Sequence, residues 1–193
     1  VKRHSGVSGC VLDGVEWSRW TVILVKPDAL RRGLDRHVLT RIGLEVDVVA
    51  QVRVTVAAWQ IHVHYADMLV DADWFPGLDV PAVLEAMYVG REVIVALGRG
   101  RDDHTTSRVR ALLGHFDPSR AALGTIRGDL GIDTLARARV RGRFVENLVH
   151  TSDTPAATRR DFGTWFGADQ HALLDPTSLA EDGQAGAMKE VSP

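Results

Sequence analysis

A chain of 193 residues has room for one ordinary domain with a sizeable core and short tails. A formal net charge of -2 with 45% hydrophobic residues gives no electrostatic case for nucleic acid as a partner, and no apolar run approaches the roughly 18 residues of a membrane span. Cys10 is the only cysteine, which excludes an intrachain disulfide and a cysteine-based metal cluster. Residues 6–16 mix glycine, Asp13 and polar side chains instead of forming a signal-peptide core. A soluble protein of the reducing cytoplasm is therefore expected. Lysine is scarce, and Lys26 alone lies between Lys2 and Lys189.

Residues 1–19 show no clear period and read as an N-terminal extension. Thr21-Val22-Ile23-Leu24-Val25 is a β-branched run that predicts a buried strand. Lys26-Pro27-Asp28 ends it, because proline cannot donate to the ladder, and leaves a lysine at the strand's C-terminal edge. The spacing of Val38 and Ile42 predicts a helix over 37–44, and the valine-rich stretch 46–56 predicts a second strand. Residues 57–69 return to helical character and carry His64-Tyr65. Trp74-Phe75-Pro76-Gly77-Leu78 reads as an aromatic turn, followed by a helix over 80–87 entered at Pro81. Val93-Ile94-Val95-Ala96-Leu97 predicts a third strand, 105–113 a helix, 144–149 a fourth strand and 156–166 a last helix. Beyond Gly167 the composition turns to Asp, Gly, Ser, Ala and Gln, which leaves 168–193 as a tail after a domain over 20–167. This order describes two split βαβ units. The expected class is α/β (α+β): a ferredoxin-like, four-stranded antiparallel sheet packed with helices.

Asn147-Leu148-Val149-His150-Thr151-Ser152-Asp153-Thr154-Pro155 holds the chemistry. His150 falls at the predicted exit of the fourth strand, just ahead of a helix N-terminus, where free backbone N–H groups favour negative charge. A histidine so placed can accept a phosphoryl group. The same placement also suits a structural histidine, and other segments must decide.

Five of them do. Val25-Lys26-Pro27-Asp28-Ala29-Leu30-Arg31-Arg32-Gly33-Leu34 closely resembles the opening motif of nucleoside diphosphate kinases. His64-Tyr65-Ala66-Asp67 and Trp74-Phe75-Pro76-Gly77-Leu78 look like that family's next landmarks. Gly124-Thr125-Ile126-Arg127-Gly128-Asp129 resembles its arginine motif, and Asn147-Leu148-Val149-His150 with Ser152-Asp153 its active-site signature. The likeness runs over about residues 21–166 in the family's order. It implies ping-pong transfer of a γ-phosphoryl from ATP or another nucleoside triphosphate, through a phosphohistidine at His150, to a nucleoside diphosphate. Mg²⁺ would arrive with the nucleotide phosphates, with no protein ligand set. A homo-oligomer, tetramer or hexamer, is also implied.

The resemblance assigns roles residue by residue. Lys26 would meet phosphate and ribose hydroxyls, Arg110 and Arg127 the β- and γ-phosphates, Asn147 the ribose side, and Tyr65 the γ-phosphate and nucleophile. Trp74 stands where the family has a phenylalanine under the base, with Leu78 lining the same slot; stacking of this kind tolerates every base. Asp161, where the family commonly has glutamate, would orient the imidazole with Ser152 in the same network.

Three departures bear on turnover. Phe116 stands where the family has a phosphate-donating threonine, and a phenyl ring cannot donate. Thr151 replaces the glycine after the histidine, which restricts the backbone there. The segment between Arg127 and Asn147 is longer than the family's by roughly ten residues, the kind of insertion that maps to loops. Within this insertion, 132–143, arginine recurs at 137, 139, 141 and 143, as a basic flap over the phosphates or a partner surface on one reading and a solvated loop or subunit contact on the other. A family member retuned to another phosphorylated acceptor, or a nucleotide-binding protein with little turnover, are the other functional readings. Retention of His150, Lys26, Arg110, Arg127 and Asn147 favours an enzyme.

Overall fold

In the computed structural model, which describes residues 12–70 and 76–175, the chain builds one four-stranded sheet in the order β2-β3-β1-β4. β1 (Trp20–Val25) pairs antiparallel with β3 (Glu92–Arg99) on one side and β4 (Val149–Thr151) on the other. β2 (Asp47–Thr55) completes the sheet against β3, also antiparallel. This is the class that the strand order predicts.

All six residues of β1 are buried, because its two faces serve two different cores. Val22 and Leu24 pack with Ile61 of α3 (Ala58–His64), Leu84 of α5 (Val80–Tyr88) and Phe162 of α9 (Pro155–Trp165). Ile23 and Val25 pack with Ala29 of α1 (Pro27–Arg31), Val38 of α2 (Asp35–Ile42), Val109 of α6 (Thr105–Leu113) and Ile126 of α7 (Ile126–Leu130). Each fully buried Leu or Ile is worth roughly 1.5–3 kcal/mol relative to exposure. Leu12, Trp17 and Leu174 also join the first core, so packing continues on both sides of residues 20–167.

Two elements differ from the sequence expectation in ways that shape the site. The helix expected over 57–69 breaks at Tyr65 (φ -101°, ψ 26°) into α3 and α4 (Ala66–Val70). The fourth strand is displaced: β4 starts at Val149, where the apolar run beginning at Phe144 had predicted its end. Leu148 explains the shift. It is the only non-glycine with positive φ (73°) among the described residues, a conformation costing roughly 1–2 kcal/mol. Its N–H donates to Asp28 Oδ2 at 2.9 Å and its carbonyl accepts from Lys26 N–H at 2.8 Å, while its side chain is fully buried. The kink therefore delays strand pairing until Val149. His150 is consequently not at a strand exit but mid-strand, opposite Leu24, and five residues before α9.

The same register settles Thr151. It pairs with Ile23 inside β4, where a β-branched side chain is favoured rather than restrictive. Its Oγ1 is buried without a hydrogen-bond partner, and such a group costs about 1–3 kcal/mol. Thr151→Val removes the hydroxyl at nearly constant shape. Urea unfolding should therefore show a gain of about 1 kcal/mol, and a loss of stability would contradict the burial argument.

Candidate active site

β4 places His150 on the Leu24 face of the sheet, among the rings of the α3–α4 break. Its imidazole lies 5.1 Å from the Tyr65 ring and 5.0 Å, edge-on, from that of His64. Burial is the largest influence on it, followed by its neighbours His64, Lys26, Arg127 and Arg110; together they hold its pKa well below the usual histidine value. The ring is thus neutral at pH 7, with its lone pair available.

Lys26 follows β1 directly and precedes Pro27 at the first position of α1. Its ammonium is buried, donates to Asn147 Oδ1 at 2.8 Å and to the Val145 carbonyl at 3.4 Å, and lies 5.8 Å from the Tyr88 ring centre. Burial lowers its pKa, against the opposing pull of Asp28. Asn147 is held at both ends of its amide, since its Nδ2 donates to the Phe116 carbonyl at 2.8 Å.

Arg127 is positioned by its motif. Thr125 caps α7 by accepting from Gly128 N–H at 3.1 Å, and Asp129 closes the turn by accepting from Gly124 N–H at 2.8 Å. A Cβ on Gly128 would come within 2.0 Å of the Ala122 carbonyl, so only glycine fits there. From this turn the buried guanidinium donates to the carbonyls of Gly114 (2.9 Å), Val149 (2.8 Å) and Asn147 (3.3 Å). Three of its five donors are used and two are left. Burial brings its pKa down to about 10, and the group stays charged at neutral pH.

Arg110 projects from α6 and pairs with Asp153, three residues beyond the histidine. Its side chain is half exposed. On the other side of His150, Ser152 Oγ donates to Asp161 Oδ2 at 2.8 Å, and Arg160 Nε donates to Asp161 Oδ1 at 3.3 Å. No hydrogen bond joins Asp161 to His150 among the described residues. The imidazole at its carboxylate is that of His64, with Nδ1 3.1 Å from Oδ1. Trp165 Nε1 lies 3.2 Å from the same Nδ1. A protonated Nδ1 donates to Asp161 and a bare one accepts from Trp165, so the two contacts compete.

Of the remaining expectations, Leu78 sits half-buried in the turn before α5, and Trp74 lies outside the described residues. The Phe116 ring is 47% exposed and stacks on His115 at 4.6 Å. Its backbone, not its ring, enters the Lys26–Asn147 web. Two residues escaped the sequence reading. Tyr88 closes the site from α5, its hydroxyl 2.9 Å from that of Tyr65, and His64 links Asp161 to the His150 ring. Tyr88 carries no motif signal. His64 stood in a recognised motif, but without the fold it had no neighbour to act on.

A neutral strand-held imidazole stands among three cations from separate elements on a ferredoxin-like sheet, an arrangement suited to an anionic ligand. The sequence profile of the family described as nucleoside diphosphate kinase matches residues 19–171. The chain is 35% identical over 147 residues to the nucleoside diphosphate kinase of a Nocardioides species, covering 76% of this chain and 95% of that one. It is 28% identical to the enzyme of Pyrobaculum aerophilum, over 78% and 96% of the two chains. Among solved structures, a transition-state mimic of the Borrelia burgdorferi enzyme with bound vanadate and ADP superposes with a TM-score of 0.68 at 27% identity, covering 76% of this chain and 86% of that one. The chain belongs to the nucleoside diphosphate kinase family, and is a nucleotide-binding phosphotransferase.

The Tyr65–Tyr88 pair gives a direct check on this geometry. Burial pushes both phenols well above their ordinary pKa, so both stay protonated and hold each other. Tyr88→Phe strands the Tyr65 hydroxyl in the core and should cost about 1–2 kcal/mol in urea unfolding. Unchanged stability would mean that the pair is not closed in solution.

Proposed function

We propose that the chain works as a ping-pong nucleoside diphosphate kinase, with His150 as the phosphorylated residue. A ring nitrogen of His150 attacks the γ-phosphorus of a nucleoside triphosphate. The N–P bond forms as the bond from that phosphorus to the β–γ bridging oxygen breaks, and the nucleoside diphosphate leaves with the bridging electrons. A second nucleoside diphosphate then attacks the phosphohistidine through its terminal oxygen and restores the neutral ring.

One observation carries this reading: β4 holds the His150 imidazole 5.1 Å from the Tyr65 ring and 5.0 Å from that of His64, where burial and nearby cations keep it neutral. Those cations then serve the incoming phosphates. Arg127 meets them with its two spare donors, Arg110 by exchanging Asp153 for phosphate, and Lys26 as a buried point charge. Asn147 and Lys26 face the ribose, Tyr65 the γ-phosphate, and Trp74 and Leu78 the base. Ser152 and Asp161 position the nucleophile, with Asp161 acting through His64.

Mg²⁺ carried with the nucleotide phosphates would neutralise charge during transfer. No group of three or more His, Cys, Asp or Glu side chains suited to a metal occurs among the described residues. Lys26, Arg110 and Arg127 cannot ligate a metal, which suits an ion held by phosphates and water rather than by the protein. The proposal extends to a homo-oligomer, supported by the exposed Trp59 and Val63 one turn apart on α3, and to a cytoplasmic location. No described helix is long and apolar enough to cross a membrane.

The test is acid-labile labelling by γ-³²P-ATP with excess Mg²⁺, followed across pH in the wild type and in His150→Ala. The wild type should label at a rate that stays level as pH falls through about 6.5, where an ordinary histidine loses half its neutral form. His150→Ala should not label. Labelling of that variant, or a wild-type rate that halves near pH 6.5, would contradict the assignment.

A further inference from the structure

The arginine-rich insertion is the feature that phosphoryl transfer leaves unused, and it is folded. Thr134 caps α8 (Leu135–Val140) by accepting from Arg137 N–H at 3.1 Å, and Ala138 on that helix is fully buried. Asp133 anchors the far end: it accepts from Arg143 Nη1 at 2.6 Å and from Glu146 N–H at 2.9 Å. These bonds hold residues 141–143 opposite the C-terminal end of α5. Between them lies a cavity of about 260 Å³, and Lys26 forms part of its wall.

One side of the cavity is apolar, formed by Val83, Ala86, Met87 and the Tyr88 ring. The other side is cationic. Arg31 is neutralised by Glu146 at 2.7 Å and Arg143 by Asp133. That leaves Lys26, Arg91 and Arg141 facing the single carboxylate of Asp28, which already accepts the Leu148 N–H. Arg91 donates to the Ala86 carbonyl at 3.0 Å. Arg141 makes no side-chain hydrogen bond or ion pair among the described residues. Positive charge in excess beside an apolar wall is the chemistry that receives an organic anion. The volume lies below the roughly 300–1,000 Å³ of sites for drug-sized ligands, so it fits a single ring or short chain rather than a whole nucleotide.

We propose that the cavity between α5 and residues 141–143 is a second ligand site, which takes a small carboxylate or phosphate with a compact apolar body beside the nucleotide rather than in its place. The insertion is then a binding element. The site shares Lys26 and Tyr88 with the transfer centre, and its other lining residues, on α5 and in the insertion among them, have no role in phosphoryl transfer, so it does not depend on turnover at His150.

Phenyl phosphate and benzoate are suitable probes, with benzyl alcohol as the neutral control, in calorimetric titrations of the full chain with and without saturating Mg·ADP. At least one anion should bind in both conditions, and the alcohol in neither. The exposed Arg141→Ala should weaken binding about tenfold or more, the scale of one charged hydrogen bond. Ala86→Phe should abolish binding by filling the cavity from the side of α5. Both sites are exposed, so thermal unfolding of each variant should match the wild type. The proposal is overturned if neither anion binds, if ADP displaces them, or if both variants bind as the wild type does. Failure of His150 labelling would not touch it.

Discussion

The structure around the histidine depends on one buried guanidinium. Arg127 ties together three backbone carbonyls that belong to different parts of the chain: the end of α6 at Gly114, the turn at Asn147 and the start of β4 at Val149. The Asn147 carbonyl also accepts from Val149 N–H at 2.9 Å, but those of Gly114 and Val149 would need another donor, and each unmade buried bond costs about 1–3 kcal/mol. The same fork that fixes the strand carrying His150 keeps two N–H groups free. A single side chain therefore holds the scaffold and keeps donors to spare, and its length and planarity are what lysine lacks.

A second constraint is electrostatic. Lys26 and Arg127 are both buried close to His150, and burial lowers the pKa of each. Their neighbours make this tolerable: Asn147 accepts from Lys26, and Asp28 opposes its shift while holding the strained Leu148. A cluster of partly satisfied cations is poised to gain from an incoming polyanion. The carboxylate side of the site is built separately. Asp161 is fixed by Ser152 and Arg160, and its link to the His150 ring runs through the His64 ring, as fits the shorter reach of aspartate compared with glutamate.

Much of this was legible in the sequence. The β-branched runs gave three of four strands to within two residues at each end, and the motif order gave the family and the residues gathered at the site. What was not legible depended on long-range backbone contacts. The apolar run from Phe144 has the composition of a strand, but Asp28 and Lys26, some 120 positions earlier, capture the Leu148 peptide and postpone pairing. Alternate arginines from 137 to 143 read as a loop or flap, but Arg137 and Arg139 fall in α8, which Thr134 caps, while Arg141 and Arg143 follow it and Asp133 anchors Arg143. Phe116 read as a lost phosphate donor, whereas the contribution seen in the structure is its carbonyl, a backbone property that no substitution pattern reveals.

The most direct test of Arg127 as the organising residue is the stability of Arg127→Lys, measured by urea unfolding without nucleotide. Lysine preserves the charge and cannot span three carbonyls. The account predicts a loss of at least about 2 kcal/mol. A variant as stable as the wild type, impaired only in phosphotransfer, would reduce Arg127 to a phosphate contact and contradict the account.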